Sequence, residues 1–148
     1  MKNIIVTTLF LLLSTNAFAC YDESLGDRAD FDNCLVEAEQ GIANAQFNLG
    51  HMYRNGKGVA QDYKEAVKWY RKAAEQGYAS AQYNLGVMYG MGHGVVQDPK
   101  SAHMWFNIAA ANGDSDAVKG RDIAAKEMTP SQIEKAQDMA REWMAKHQ

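Results

Sequence analysis

Two cysteines and four histidines are the residues of this chain best able to do covalent or metal chemistry. Cys20 and Cys34 are far enough apart in sequence to close a loop and can pair as a disulfide in an oxidising compartment. Such a bridge contributes about 3 kcal/mol on the chain-entropy estimate. The other use of Cys20 is as a lipid-anchored residue, but Ala17 stands where lipoprotein sites usually carry leucine. Serine chemistry finds no support. Ser101, Ser115 and Ser131 lead three positions on to Met104, Val118 and Glu134, so the Ser-x-x-Lys nucleophile is missing. The histidines lie far apart and no His-Glu-x-x-His occurs, so no zinc site is expected. Asp114 and Asp116 lack the further oxygen ligands of a calcium loop and read as helix caps. His93 sits in a glycine turn, Gly90-Met91-Gly92-His93-Gly94, but the turn follows a helical pattern rather than a strand, which argues against a phosphate loop. No catalytic group, metal or cofactor is expected.

The elements that carry these residues are repeated. Ala43 to Tyr78 returns as Ala79 to Asp114, a 36-residue unit with 19 identical positions between the copies. A period of this size marks supersecondary units that bury their apolar faces against one another. Ala45, Leu49, Met52 and Tyr53 fall on one helical face, and Gly50 beside them lets a partner helix come close. Gly56 and Gly58 end that helix and supply positive backbone angles. Asp62 caps the next helix, with Glu65 completing a capping box; in the second copy Asp98 caps and Pro99 takes the first helical position. Ala66, Trp69, Tyr70, Ala73 and Ala74 form the second stripe, and Gly77 closes it.

Fragments of the unit extend to both sides. Ala38-Glu39-Gln40-Gly41 is identical to Ala74-Glu75-Gln76-Gly77, so residues 31–41 read as the second helix of an incomplete leading unit. Beyond Asp114, Ala117 still matches Ala81, but Arg121 and Asp122 replace Leu85 and Gly86, a polar departure suited to an end that meets water. A last helix starts at Thr129-Pro130-Ser131-Gln132 and carries Ile133, Ala136, Ala140, Trp143 and Met144 on one face. The expected fold is all-α: a short right-handed solenoid of antiparallel helix pairs, about seven helices and no strands.

Composition agrees. Hydrophobic residues make up 47% and charged residues 22%, as in a soluble domain, and a net charge of −3 provides no basic footprint for nucleic acid. Residues 1–19 read as a signal peptide. Lys2 precedes the apolar run Ile4 to Leu13, and Ala17-Phe18-Ala19 presents small residues to signal peptidase. That run is too short for a permanent membrane span. Export to a bacterial periplasm is expected, with secretion or a lipid anchor at Cys20 as alternatives. Residues 20–148 then form one domain: a leading segment and partial unit (20–42), repeat one (43–78), repeat two (79–114) and capping helices (115–148).

The shared blocks resemble the Sel-one-like repeat (SLR) family, relatives of the tetratricopeptide repeats. The carrying motifs are Ala-x-Ala-Gln-[Phe/Tyr]-Asn-Leu-Gly-x-Met-Tyr, Gly-x-Gly-Val-x-Gln-Asp and Trp-[Tyr/Phe]-x-x-Ala-Ala-x-x-Gly. The resemblance implies a binding scaffold whose first helices line a concave face where a protein or peptide partner docks. Counted from the Leu-Gly pair, Asn44, Phe47, His51, Arg54 and Asn55 fall there in the first unit, and Ser80, Tyr83, Val87 and Met91 in the second. Phe47 and Tyr83 belong to the family pattern and read equally as packing residues. His51 and Arg54 break the repeat, becoming Val87 and Gly90, and are the candidates for recognition. The resemblance implies an adaptor. Its alternatives are a β-lactam or cell-wall hydrolase, as some cysteine-rich relatives are labelled, and a structural module of an envelope complex.

Overall fold

The computed structural model describes Cys20 and residues 27–147. The signal peptide expected at 1–19 lies outside the described residues. Seven helices follow one another: α1 (Asp27–Glu39), α2 (Ala43–Asn55), α3 (Tyr63–Glu75), α4 (Ala79–Met91), α5 (Pro99–Ala111), α6 (Ala117–Ala125) and α7 (Pro130–Lys146). Among the described residues there is no strand. α1, α3 and α5 have 13 residues each, as do α2 and α4. Their first residues step by the 36-residue period, which makes α1 the second helix of a leading unit.

Each of α2 and α4 packs on the helix that follows it in its own unit and on the last helix of the unit before. Gly50 and Gly86 let the next helix of their own unit come close. A Cβ on either would stand 2.7 Å from the ring of Tyr70 or Phe106. Gly58 and Gly94, both with positive φ, bring their turns against the starts of α1 and α3; a Cβ there would fall 2.0 Å from the Asp27 oxygen and 2.3 Å from that of Tyr63. His93 belongs to this second turn and stacks on the Tyr63 ring, with centroids 4.5 Å apart.

Units are also joined by a polar relay that the sequence reading left without a role. Gln46 and Gln82, both buried, donate to the carbonyls of Ala38 (3.1 Å) and Ala74 (3.0 Å) in the preceding unit. Each accepts in turn, Gln46 from Gln76 and Gln82 from Asn112, both at 2.8 Å. Val118 stands at the next step, 36 residues after Gln82, where it neither donates nor accepts.

The two ends are finished differently. Cys20 and Cys34 form a disulfide, with Cα atoms 4.7 Å apart, and both side chains are buried against Phe31, Leu49 and Trp69. Cys34 stands at the position of Tyr70 and Phe106, so the bridge closes the face that those rings present to Gly50 and Gly86. At the other end α7 packs along α5, where Trp143 meets Trp105 edge-on with centroids 5.5 Å apart. Arg121 and Asp122 pair with each other at 2.9 Å at this end, as the polar departure leads one to expect.

The caps follow the sequence with two corrections. Asp116, expected to cap α6, makes no capping bond and pairs its carboxylate with Lys119, which leaves the cap to Asp114. Thr129 and Gln132 make a full capping box, and Asp114 accepts from the N–H groups of Asp116 and Ala117. Asp62 does accept from the N–H groups of Lys64 and Glu65, but the return arm of its box is absent. The Asp62 N–H instead donates to the Tyr53 carbonyl at 2.8 Å, and the Glu65 carboxylate pairs with Lys68. A turn that folds back onto the first helix has already satisfied the donor that Glu65 would have served.

Candidate functional site

The nine positions expected on the concave face lie on α2 and α4, and the structure separates them into two groups. Those on α2 are largely engaged with neighbours. Asn44 accepts from Asn48 at 2.9 Å. Phe47 packs between Tyr70 and Tyr78, with centroids 5.9 and 5.2 Å away, and joins the main core. Asn55 donates to the His51 carbonyl at 3.0 Å, and its amide also lies 3.0 Å from Nδ1 of that ring. Partial burial, with the positive charges of Arg54 and Lys57 behind it, holds the His51 pKa below its ordinary value and favours the neutral imidazole.

Arg54 reaches across to α4, where its guanidinium donates to Asn84 Oδ1 at 3.0 Å; Asn84 in turn donates to the Ser80 carbonyl at 2.8 Å. Beneath them lies Tyr70. Burial pushes its phenol up to about 12, an effect that nearby Arg54 partly offsets. The gap between α2 and α4 is thus spanned by polar side chains.

One step along, the same gap is open. Tyr83, Val87 and Met91 from α4 face Gly120, Ile123 and Glu127 from α6 or its end across a cleft of about 270 Å³, with the Phe106 ring as its floor. Each residue that filled the first gap has lost its polar group here. Arg54 becomes Gly90, Asn84 becomes Gly120, Tyr70 becomes Phe106 and His51 becomes Val87. Phe106 leans against two glycines at once, 2.7 Å from where a Cβ on Gly86 or Gly120 would stand. Gly90 is different: a Cβ there would meet only Ala102, at 3.8 Å, so its missing side chain leaves space and relieves no crowding. Met91 is 60% exposed and Ile123 63%, an arrangement in which large apolar side chains on opposite walls remain in water.

The sequence reading located Tyr83, Val87 and Met91 but not the opposite wall. Ile123 and Glu127 lie 36 residues after Val87 and Met91, so the register that matched Ala117 to Ala81 also points to them. A second recess of about 260 Å³ shares Pro99 and Glu127 with the cleft and is lined further by Asp98, Lys100, Gln132 and Lys135. Among the described residues no group of three His, Cys, Asp or Glu side chains is placed to hold a metal ion.

The Sel1 repeat family model matches residues 43–78 and 79–114, the two units found by internal comparison. The cysteine rich protein B of Helicobacter pylori shares 31% identity with this chain, which covers 67% of it; the match takes in 60% of this chain at a TM-score of 0.58. The chain belongs to the Sel1 repeat family. Its repeats generally serve as protein–protein interaction modules, and the family is generally non-enzymatic.

Other Sel1 relatives are longer. A protective antigen of uropathogenic Escherichia coli, c5321, displays an SLR fold and is 36% identical over 81% of this chain, with a TM-score of 0.79; the match spans 26% of that antigen. A Sel1 repeat protein from Oxalobacter formigenes is 41% identical over 66% of the chain, with a TM-score of 0.64, and 40% of it is covered. The chitin synthase regulator SKT5 of Saccharomyces cerevisiae is 46% identical over 44 residues, 30% of this chain and 6% of the regulator.

Proposed function

We propose that this Sel1 protein is an exported adaptor that holds a protein or peptide segment on the face formed by α2, α4 and α6. The observation that carries this reading is the open apolar cleft between α4 and α6, where Tyr83 and Val87 pack on the Phe106 cluster while Met91 and Ile123 stay exposed. Export is supported by the Cys20–Cys34 bridge, because disulfides persist in oxidising compartments. The bridge also engages the sulfur that a thioether-linked lipid at Cys20 would need, which favours a released protein over an anchored one. Among the described residues no helix is long and apolar enough to cross a membrane. Polar selection by His51 and Asn55 at the edge of the face belongs to the same proposal, whereas Arg54 contributes by fixing α2 against α4.

A photo-activated cross-linking residue placed at Val87, in cells exporting the full chain, tests this reading against the same residue at Glu75 on the exposed side of α3. Discrete adducts from position 87 and none from position 75 are expected. Equal labelling from both, or none from either, would remove the α2/α4/α6 face as the binding surface.

A further inference from the structure

We propose that the α4/α6 cleft takes a segment offering bulky aliphatic side chains next to a lysine or arginine. This rests on the protein-binding reading above and specifies the ligand. Three observations lead to it.

The first is the lining. The side chains facing the cleft are apolar, from Tyr83 and Val87 on one wall to Ile123 on the other, over a floor of Phe106. A space of about 270 Å³ has room for one or two side chains.

The second is charge. Glu127 is the one charged residue among those lining the cleft, and it is exposed at its mouth. The neighbouring recess shares Glu127 and carries charges of both signs, Asp98 and Glu127 with Lys100 and Lys135, and so selects for neither. A cation beside the apolar anchor therefore gains at Glu127, and an anion there is disfavoured.

The third is how the cleft arises. Gly120 makes way for Phe106, but Gly90 has no close neighbour to accommodate. A glycine inside a helix costs stability relative to alanine, and at this position the fold gains no contact in return. Vacancy beside Gly90 serves an occupant from outside the chain.

The test is fluorescence anisotropy of the purified, disulfide-intact protein with a labelled short peptide carrying two leucines four residues apart and lysines beside them. Two control peptides replace the lysines by glutamate or the leucines by alanine. The lysine–leucine peptide is expected to bind more than tenfold tighter than the alanine control, and about fivefold tighter than the glutamate control. Gly90→Arg, which restores the first unit's side chain to the gap, reduces binding at least tenfold while the circular dichroism spectrum is retained. Glu127→Lys, at an exposed position, reverses the preference between lysine and glutamate peptides. Equal binding of the three peptides, or unchanged binding by Gly90→Arg, overturns the proposal. If the peptides fail while position 87 still cross-links, the ligand chemistry is wrong and the binding face stands; if the cross-links fail as well, both readings fall.

Discussion

The gap between α2 and α4 and the gap between α4 and α6 are the same place in the repeat, one 36-residue step apart. In the first, Arg54, Asn84 and Tyr70 fill the space, and the Arg54–Asn84 hydrogen bond ties neighbouring units together. In the second, two glycines and a phenylalanine leave it empty. The difference separates two duties that a solenoid must divide among its units. Polar side chains in a gap join units at the expense of a binding surface, while small residues there give a surface and leave the junction to the core.

Breaking the open gap's floor produces the largest expected effect. Phe106 is 5% exposed, and Phe106→Ala is expected to cost about 3–5 kcal/mol, read from urea unfolding, because the cavity cannot collapse against two glycine helices. Emptying the filled gap comes next. A combined Arg54→Gly, Asn84→Gly variant removes the Arg54–Asn84 and Asn84–Ser80 hydrogen bonds and puts two glycines inside helices, for a loss of about 2–3 kcal/mol. The variant should also open a cleft between α2 and α4 floored by the Tyr70 ring, visible as a new, weaker site for the leucine peptide. An unaltered unfolding midpoint would show that Arg54 does not join the units.

Gly90→Ala is the opposite case. Its Cβ lies in ordinary contact distance of Ala102, so the protein should gain about 0.5–1 kcal/mol, whereas Gly86→Ala, with Phe106 at 2.7 Å, should lose stability. If both alanines destabilise alike, the second gap is not vacant.

The smallest effect concerns pH. His103 replaces Val67 of the first unit and is buried, its Nδ1 lying 3.1 Å from the Asn107 amide. Burial first, then the charge of Arg121, lowers its pKa below 6.5, with Asp122 acting the other way. The unfolded chain then binds more protons than the folded one as pH falls through that region. Its contribution to stability is complete above pH 6.5 and declines below it. Melting temperature should therefore fall from pH 7 to pH 5, and His103→Val should flatten the slope; an equal slope in the variant would exclude this residue as the source.

The fold was legible because its determinants are residues that are present: apolar stripes, capping aspartates and the turn glycines all recur at one spacing. The open cleft was not legible for the converse reason. A distinctive polar side chain that breaks the repeat points to His51 and Arg54, yet Arg54 is tied to Asn84. What distinguishes the cleft is side chains lost at Gly90 and Gly120, and a loss reads in sequence like any other helical glycine. Cys20 and Cys34 were left between two uses because spacing alone does not show whether the chain can bring them together; packing of Cys20 on α1 does. His103 escaped notice for a similar reason, since its burial comes from α6 docking on α5 rather than from its own helix pattern.

The glutamine relay has a bearing on shape. An apolar interface sets how far apart two units stand, but it accepts small rotations and slides at little cost, because dispersion has no direction. An amide that must donate to Ala74 while accepting from Asn112 has one orientation, and Gln82, fully buried, has no water to turn to instead. The pitch of the solenoid is therefore indexed by Gln46 and Gln82, like teeth that engage at one angle, and α6, with Val118 at this position, docks without such a tooth.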